Sequence, residues 1–259
     1  MTTFQELFIK DIIEKTKKSK NVGIFIDYDN LYYTYQHYGL SLEHEKYSIL
    51  DTLNKIYLNK IRQFHVYADF QQSQLDLNYI QQRHAKIEHV YGNGLTENNR
   101  KNASDIQLSI DVMETLWKNK NIDTYVLVTS DCDFLPIEDK LLKHGKTVHL
   151  YYMRNHISKY QNITTHCNLA IDLMNLYGID ENRMKPEYWE KEAIQTIRNW
   201  YANPKNKGKT LGYRWLNDLF TSSLEISKHL SSEIIQHLLE KNTLKSLEIE
   251  GNKEFHLEE

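Results

Sequence analysis

Several features common in proteins are scarce or missing in this chain of 259 residues, and each shortage removes a class of function. There are only two cysteines, three prolines and nine glycines. Cys132 and Cys167 lie far apart and form no Cys-x-x-Cys pair. They exclude a cysteine-rich zinc site and suit a reducing compartment, so a cytoplasmic location is expected. No excess of positive charge is present: the formal net charge is −3, so any footprint for phosphate must be local. No run approaches the roughly 18 uninterrupted apolar residues of a membrane span, so no membrane association is expected. The opening Met1-Thr2-Thr3-Phe4-Gln5 is polar and leads into a helical stretch, unlike the basic end and apolar run of a signal peptide. Tyrosine is abundant at 18 residues, alongside asparagine, lysine and isoleucine. Codon bias in an AT-rich genome would produce the same excess, so tyrosine number by itself carries no argument.

What is present suits an ordinary globular protein. Apolar residues make up 40% of the chain and charged residues 26%. Asn21 to Ile26 is a short apolar run ending in Asp27-Tyr28-Asp29-Asn30, the pattern of a fully buried parallel strand. Ser48 to Leu58 has apolar residues at helical spacing, and Gln63 to Ala68 gives a second strand ending in Asp69. Leu75 to Arg83 reads as helix and Ala85 to Tyr91 as a third, shorter strand, with Gly92-Asn93-Gly94 as a turn. Ala103 to Trp117 is an amphipathic helix with Ile106, Ile110, Met113 and Trp117 on one face. Thr124 to Thr129 is a fourth strand, Asp133 to His144 a helix stopped at Gly145, and Thr147 to Tyr151 a fifth strand. Strands alternating with helices predict βαβ crossovers, hence a parallel sheet flanked by helices, an α/β fold. The ligand site of such a sheet lies beyond the carboxyl ends of its strands.

Past about residue 180 the pattern changes. Tyr188 to Tyr201, Tyr213 to Leu224 and Ser231 to Lys241 read as helices. Leu247 to Leu257 alternates around Gly251-Asn252, a hairpin signature. Three helices and a hairpin are the order of a small winged-helix-like domain. The expected division is residues 1–180 and 185–259. Lys205, Lys207, Lys209 and Arg214 form a local basic cluster, a candidate for contact with a phosphate backbone. The candidate recognition helix carries Glu233 and Glu240 and few cations, which weakens the case for reading a DNA sequence.

The chemistry is concentrated in aspartates. Asp27 and Asp29 follow the first strand, and Asp131 and Asp133 follow the fourth. Asp105 sits in the first turn of the amphipathic helix, after the loop that follows the third strand. The active-edge rule brings all five to one side of the sheet. Crowded carboxylates repel, and so either hold protons or demand a cation, for which Mg²⁺ or Mn²⁺ suits hard oxygen ligands. Asp111, almost two helical turns after Asp105, shares roughly its face as a support or as a solvated residue. A lone Asp after a strand is more often a helix cap, and Asp133 has that option too.

At these residues the sequence resembles the NYN family, a branch of the PIN-like nucleases that includes the LabA-type proteins. Phe25-Ile26-Asp27-Tyr28-Asp29-Asn30, Ser104 to Asp111, and Val128-Thr129-Ser130-Asp131-Cys132-Asp133-Phe134 carry the likeness, which spans roughly Asn21 to Leu173. The resemblance implies a PIN-like fold and divalent-metal-dependent RNA hydrolysis, with endonuclease action as the expected mode. It makes Asp27, Asp105, Asp131 and Asp133 the catalytic and metal-binding core, with Asp29, Asn30, Asp111 and Ser130 in support. The family often has a Lys-Gly pair where this chain has Ala103-Ser104, and Ser-Gly-Asp where it has Thr129-Ser130-Asp131. Neither departure removes an acid.

Arg100 and Lys101 precede the helix carrying Asp105 and are candidates to hold a substrate phosphate. The expected substrate is single-stranded or structured RNA. The C-terminal domain leaves room for a homodimer contact or a protein partner. Tyr28, Tyr32 and Tyr35 share a helical face, which favours packing over base stacking. Two other functions compete. A haloacid-dehalogenase-like phosphatase would use Asp27-x-Asp29 as its nucleophile motif, although Leu31 stands where Thr or Val is expected. A nucleic-acid-binding regulator would carry the acids as an inactive site.

Overall fold

The computed structural model describes residues 3–69, 77–90, 103–154, 163–249 and 252–258. Its contacts divide the chain into two units, one of residues 1–34 and 42–179, the other of residues 35–41 and 180–259.

The first unit is built on six parallel strands. They are β1 (Val22–Asp27), β2 (Ile61–Ala68), β3 (Lys86–His89), β4 (Thr124–Val128), β5 (Thr147–Tyr152) and β6 (Leu169–Asp172), in the order β3-β2-β1-β4-β5-β6. Every residue of β1 and β4 is buried. That is why both strands read as unbroken apolar runs rather than alternations. Between the strands run α2 (Tyr28–His37), α3 (Ile49–Tyr57), α4 (Leu77–Gln81), α5 (Ala103–Lys118) and α6 (Leu135–Lys143), with α1 (Thr3–Lys15) before the sheet and α7 (Leu173–Tyr177) after it. The two-residue period of the strands sends side chains to alternate faces. Phe25, Tyr125, Leu127, Val148 and Leu150 join Leu108, Val112 and Leu116 of α5 in one core. From α3, the Tyr57 hydroxyl meets His149 Nδ1 at 2.8 Å and the Tyr151 hydroxyl at 3.2 Å.

The strand order reverses between β1 and β4, which pair in register from Val22 with Thr124 to Ile26 with Val128. Chains leaving these two strands turn to opposite sides and open a crevice at the carboxyl edge. Asp27 ends β1, and Thr129-Ser130-Asp131 follows β4. The expected α/β fold is therefore present, with the acids at its topological switch point.

Three details differ from expectation. A sixth strand, β6, extends the sheet beyond the five read from the sequence. It is four residues long and half-buried at its start, too short and too polar at its borders to signal itself. The helix of Asp133 to His144 begins as a 3-10 turn over Cys132–Phe134 before α6 proper, and Gly145 does follow its end with φ +70°. The third difference is α5, whose expected face is not the buried one. Ser104, Leu108, Val112, Thr115 and Leu116 are buried, while Ile106, Ile110 and Trp117 are 58%, 54% and 52% exposed. The helix carries two apolar stripes on opposite sides, and only one can face the sheet. Polar anchors choose between them: Ser104 bonds to Asp29, and Asp111 to the Tyr67 hydroxyl, on the inward side.

The second unit contains α8 (Glu190–Ala202), β7 (Leu211–Gly212), α9 (Tyr213–Leu224), α10 (Lys228–Glu240), β8 (Leu244–Ile249) and β9 (Asn252–Leu257). Its antiparallel sheet has the order β7-β9-β8. Ala193, Ile197, Leu216, Phe220, Ile234, Ile235, Leu238 and Leu244 form its core with Trp189. Gly39, with φ +57°, also belongs here. A Cβ at that position would lie 2.5 Å from the Trp189 ring, so the ring is seated on a site only glycine provides. Among the described residues, no helix is long and apolar enough to cross a membrane.

Candidate functional site

Asp27 closes β1 and is only 3% exposed. Its Oδ1 accepts from the Asn30 backbone N–H at 3.1 Å, capping the first turn of α2. Its Oδ2 accepts from Thr129 Oγ1 at 3.0 Å. The same hydroxyl oxygen accepts from the Asp131 N–H at 3.1 Å, so one threonine couples the β1 and β4 acids. Asn30 and Ser130 extend that link. Asn30 Oδ1 accepts from the Ser130 N–H at 3.2 Å, and Ser130 Oγ accepts from the Met153 N–H at 2.9 Å. The loops after β1, β4 and β5 are thus held in one hydrogen-bonded lattice. Asp131 Oδ1 in turn accepts from the Asp133 N–H at 2.9 Å, capping the 3-10 turn and leaving the Asp133 side chain exposed.

Asp29 acts as a clasp. Its Oδ2 accepts from the Asp69 N–H at the end of β2, at 2.9 Å, and from Ser104 Oγ on α5, at 3.0 Å. The clasp delivers Asp105, one residue on, to the other carboxylates. Burial raises the Asp105 carboxyl most, and the charges of Asp131, Asp29 and Asp133 raise it further, to about 6. Asp27 is pushed well above the usual carboxylate range, first by burial and then by Asp105, with Asp29 adding to the effect. These mutual influences join Asp27, Asp29, Asp105, Asp131 and Asp133 in one neighbourhood drawn from three chain segments. Among the described residues, the charges that act on Asp105 are carboxylates. Hard oxygen donors crowded in this way could hold a divalent cation.

Asp111 has partners of its own. Its Oδ2 accepts from the Tyr67 hydroxyl at 2.9 Å and its Oδ1 from Gln107 Nε2 at 2.8 Å. With His65 and Glu88 it forms a trio whose ligand atoms lie within 4.8 Å of one another, the one group of three that closes so tightly among the described residues. His65 Nδ1 and Glu88 Oε1 are 3.0 Å apart, and Lys86 Nζ lies 2.6 Å from the same oxygen. Burial pushes the Glu88 carboxyl up, but the bonds from Lys86 and His65 outweigh it and hold the group below its usual range. Nothing in the sequence marks this trio. The β2–β3 register sets Tyr67 beside Glu88, and only that pairing brings the residues together. Arg100 and Lys101, the expected phosphate contacts, lie outside the described residues. Of the tyrosine stripe, Tyr28 and Tyr35 are buried and Tyr32 is half-buried against the Tyr33 ring, which agrees with packing.

Comparison with known proteins adds two findings. The model of the NYN domain matches residues 21–173, more than half of the chain. Among solved structures, a protein of unknown function from Vibrio parahaemolyticus RIMD 2210633 is similar over 63% of this chain and 95% of its own, at 16% identity and a TM-score of 0.45. No curated protein matches.

Proposed function

The chain belongs to the NYN domain family, a branch of the PIN-like nuclease superfamily, and on that premise we propose that it is a metal-dependent ribonuclease cutting RNA internally at the aspartate cluster. The observation that carries the reading is the crowding of Asp27 and Asp105 at the β1–β4 switch point, with both carboxyls raised first by burial and then by their acidic neighbours.

In this reading Asp27, Asp105, Asp131 and Asp133 would hold Mg²⁺ or Mn²⁺. Such an ion would supply acidification of water at neutral pH and charge neutralisation at the phosphate. The protein's own share is placement. Thr129 fixes the Asp27 carboxylate and the Asp131 backbone together, so the β1 and β4 ligands keep one spacing. Asp29 and Ser104 set the depth of α5 and hence of Asp105. Asn30 and Ser130 lock the two loops that frame the crevice. The exposed Asp133 is the member most open to substrate and solvent.

The phosphatase reading fits less well. Its nucleophile motif would be Asp27-x-Asp29, yet Leu31 stands where that motif has Thr or Val. The order α8-β7-α9-α10-β8-β9 with its small antiparallel sheet leads us to read the second unit as a winged helix.

Labelled single-stranded RNA incubated with wild type, Asp131→Asn and Asp105→Asn tests the function, with Mn²⁺ and with EDTA. Cleavage by wild type alone, and only with the ion, is expected. EDTA-resistant cleavage, or full activity in both variants, overturns the reading. Retained RNA binding with no cleavage by wild type favours the regulator.

A further inference from the structure

The second unit exposes aromatic rings and cations together. Trp189 is buried and Trp200 packs against Tyr201 at 4.9 Å, but Trp215 is 70% exposed, the largest exposed fraction among the large apolar residues described. Tyr213, two residues earlier, is 48% exposed and leans on Phe255 at 6.2 Å. Both rings sit in the first turn of α9. Exposing an indole forgoes the stabilisation that burial would give. Its position therefore asks for a partner.

The cations next to it show which partner. Lys205, Lys207, Lys209 and Arg214 are all exposed, and the stretch from Ala193 to Leu216 contains no acid. The lysines stand on a pinned turn. Asn203 Oδ1 accepts from the Lys205 N–H at 3.1 Å, Asn206 Nδ2 donates to Trp200 O at 2.9 Å, and the Lys209 N–H donates to Asn206 O at 2.9 Å. β7 joins the turn to α9 and is itself tied down, since the Leu211 N–H donates to the Tyr201 hydroxyl at 3.4 Å. Among the described residues, acids nearby are few. Glu254 pairs across β7 with Gly212 and lies 3.7 Å from His256, and Asp218 is a turn further along α9.

We propose that this surface, with Trp215 and Tyr213 as base-stacking platforms and Lys205, Lys207, Lys209 and Arg214 as phosphate contacts, binds single-stranded RNA. Flat rings serve unpaired bases, which stack on them, whereas a duplex keeps its bases inside. Duplex binding by the third helix is disfavoured by its charges. α10 carries Glu233 and Glu240, and Glu190 packs against its end through His237 and Lys241. The choice of RNA over other single strands rests on the nuclease reading, and the surface deepens that reading by adding a hold on substrate outside the aspartate cluster.

The test is binding of the full-length chain, in EDTA, to a labelled oligouridylate of about 12 nucleotides, within the span of a single-strand site. Trp215→Ala is expected to weaken binding about tenfold or more, and Trp215→Phe to restore most of it. Replacing Lys205, Lys207 and Lys209 together with Gln should lower the slope of log affinity against log salt by about 2. All these side chains are exposed, so folding is retained, and circular dichroism checks it. Unchanged affinity in Trp215→Ala, or tighter binding of duplex DNA than of the oligouridylate by wild type, overturns the proposal. Because EDTA suppresses cleavage, the two readings fail separately. Binding that survives in a protein unable to cut leaves this surface standing, and cutting without binding here leaves the nuclease standing.

Discussion

Ser104 Oγ donates to Asp29 Oδ2 at 3.0 Å, and this one bond ties the first turn of α5 to the first turn of α2. It matters because Asp105 follows Ser104, so the depth of the helix that carries Asp105 depends on a hydroxyl rather than on core packing alone.

Ser104→Ala should therefore leave the fold intact and lower RNA cleavage about tenfold, since small displacements of a reacting group are costly. Loss of a hydrogen bond to a charged group costs about 2 kcal/mol of stability. Single-turnover rates and thermal melts on the same samples check it. Unaltered cleavage would show that Asp29 does not position Asp105.

The raised Asp105 carboxyl gives a pH-dependent prediction. Its folded pKa of about 6 exceeds the reference value of 3.8. Its contribution to stability is therefore fullest below about pH 4 and is lost as pH rises through about 6. In metal-free protein, Asp105→Asn should be more stable than wild type at about pH 7.5, by about 2 kcal/mol after allowing for solvent screening of a partly exposed group. Near pH 4 the difference should vanish. Added Mn²⁺ should raise the melting temperature of wild type and do little for the variant. Equal melting curves across the pH range would sink this account.

Glu138 on α6 is fully buried, and neither of its carboxyl oxygens has a hydrogen-bond partner among the described residues. Burial pushes the group up to about 8 from a reference of 4.5. The folded state thus favours the protonated acid, and stability declines between about pH 4.5 and 8 as the unfolded chain ionises more readily. Glu138→Gln removes this titration. The gap between variant and wild type should widen in favour of the variant over that window, by a few kcal/mol at most. Chemical denaturation at several pH values measures it, and a constant gap would contradict the assignment.

The two stripes of α5 can be told apart by substitution. Leu108→Ala, on the sheet-facing side, should cost about 2–5 kcal/mol, while Ile110→Ser on the exposed side should stay within about 0.5 kcal/mol. Urea midpoints of the two variants decide the matter. A large loss at Ile110 would mean that its face is covered.

The sequence by itself determined the architecture of the first unit and the short list of acids. β1 and β4 were legible because strands buried on both faces must be apolar throughout, and the acids at their ends were legible because polarity returns where burial stops. Asp105, which no strand end marks, was placed by its position in the first turn of the helix that follows the third strand, and the family blocks include it too. Tertiary structure decided what pattern alone left equal. The two stripes of α5 are both apolar, and periodicity cannot rank them; hydrogen bonds from Ser104 and Asp111 to other segments do. Asp111 closes with His65 and Glu88, a grouping the sequence could not show because strand register, a non-local quantity, placed Glu88 beside Tyr67. Thr129, whose hydroxyl joins the β1 and β4 acids, looked in sequence like the last residue of a strand. Its role, like the exposure of Trp215, depends on which neighbours folding supplies and which it withholds.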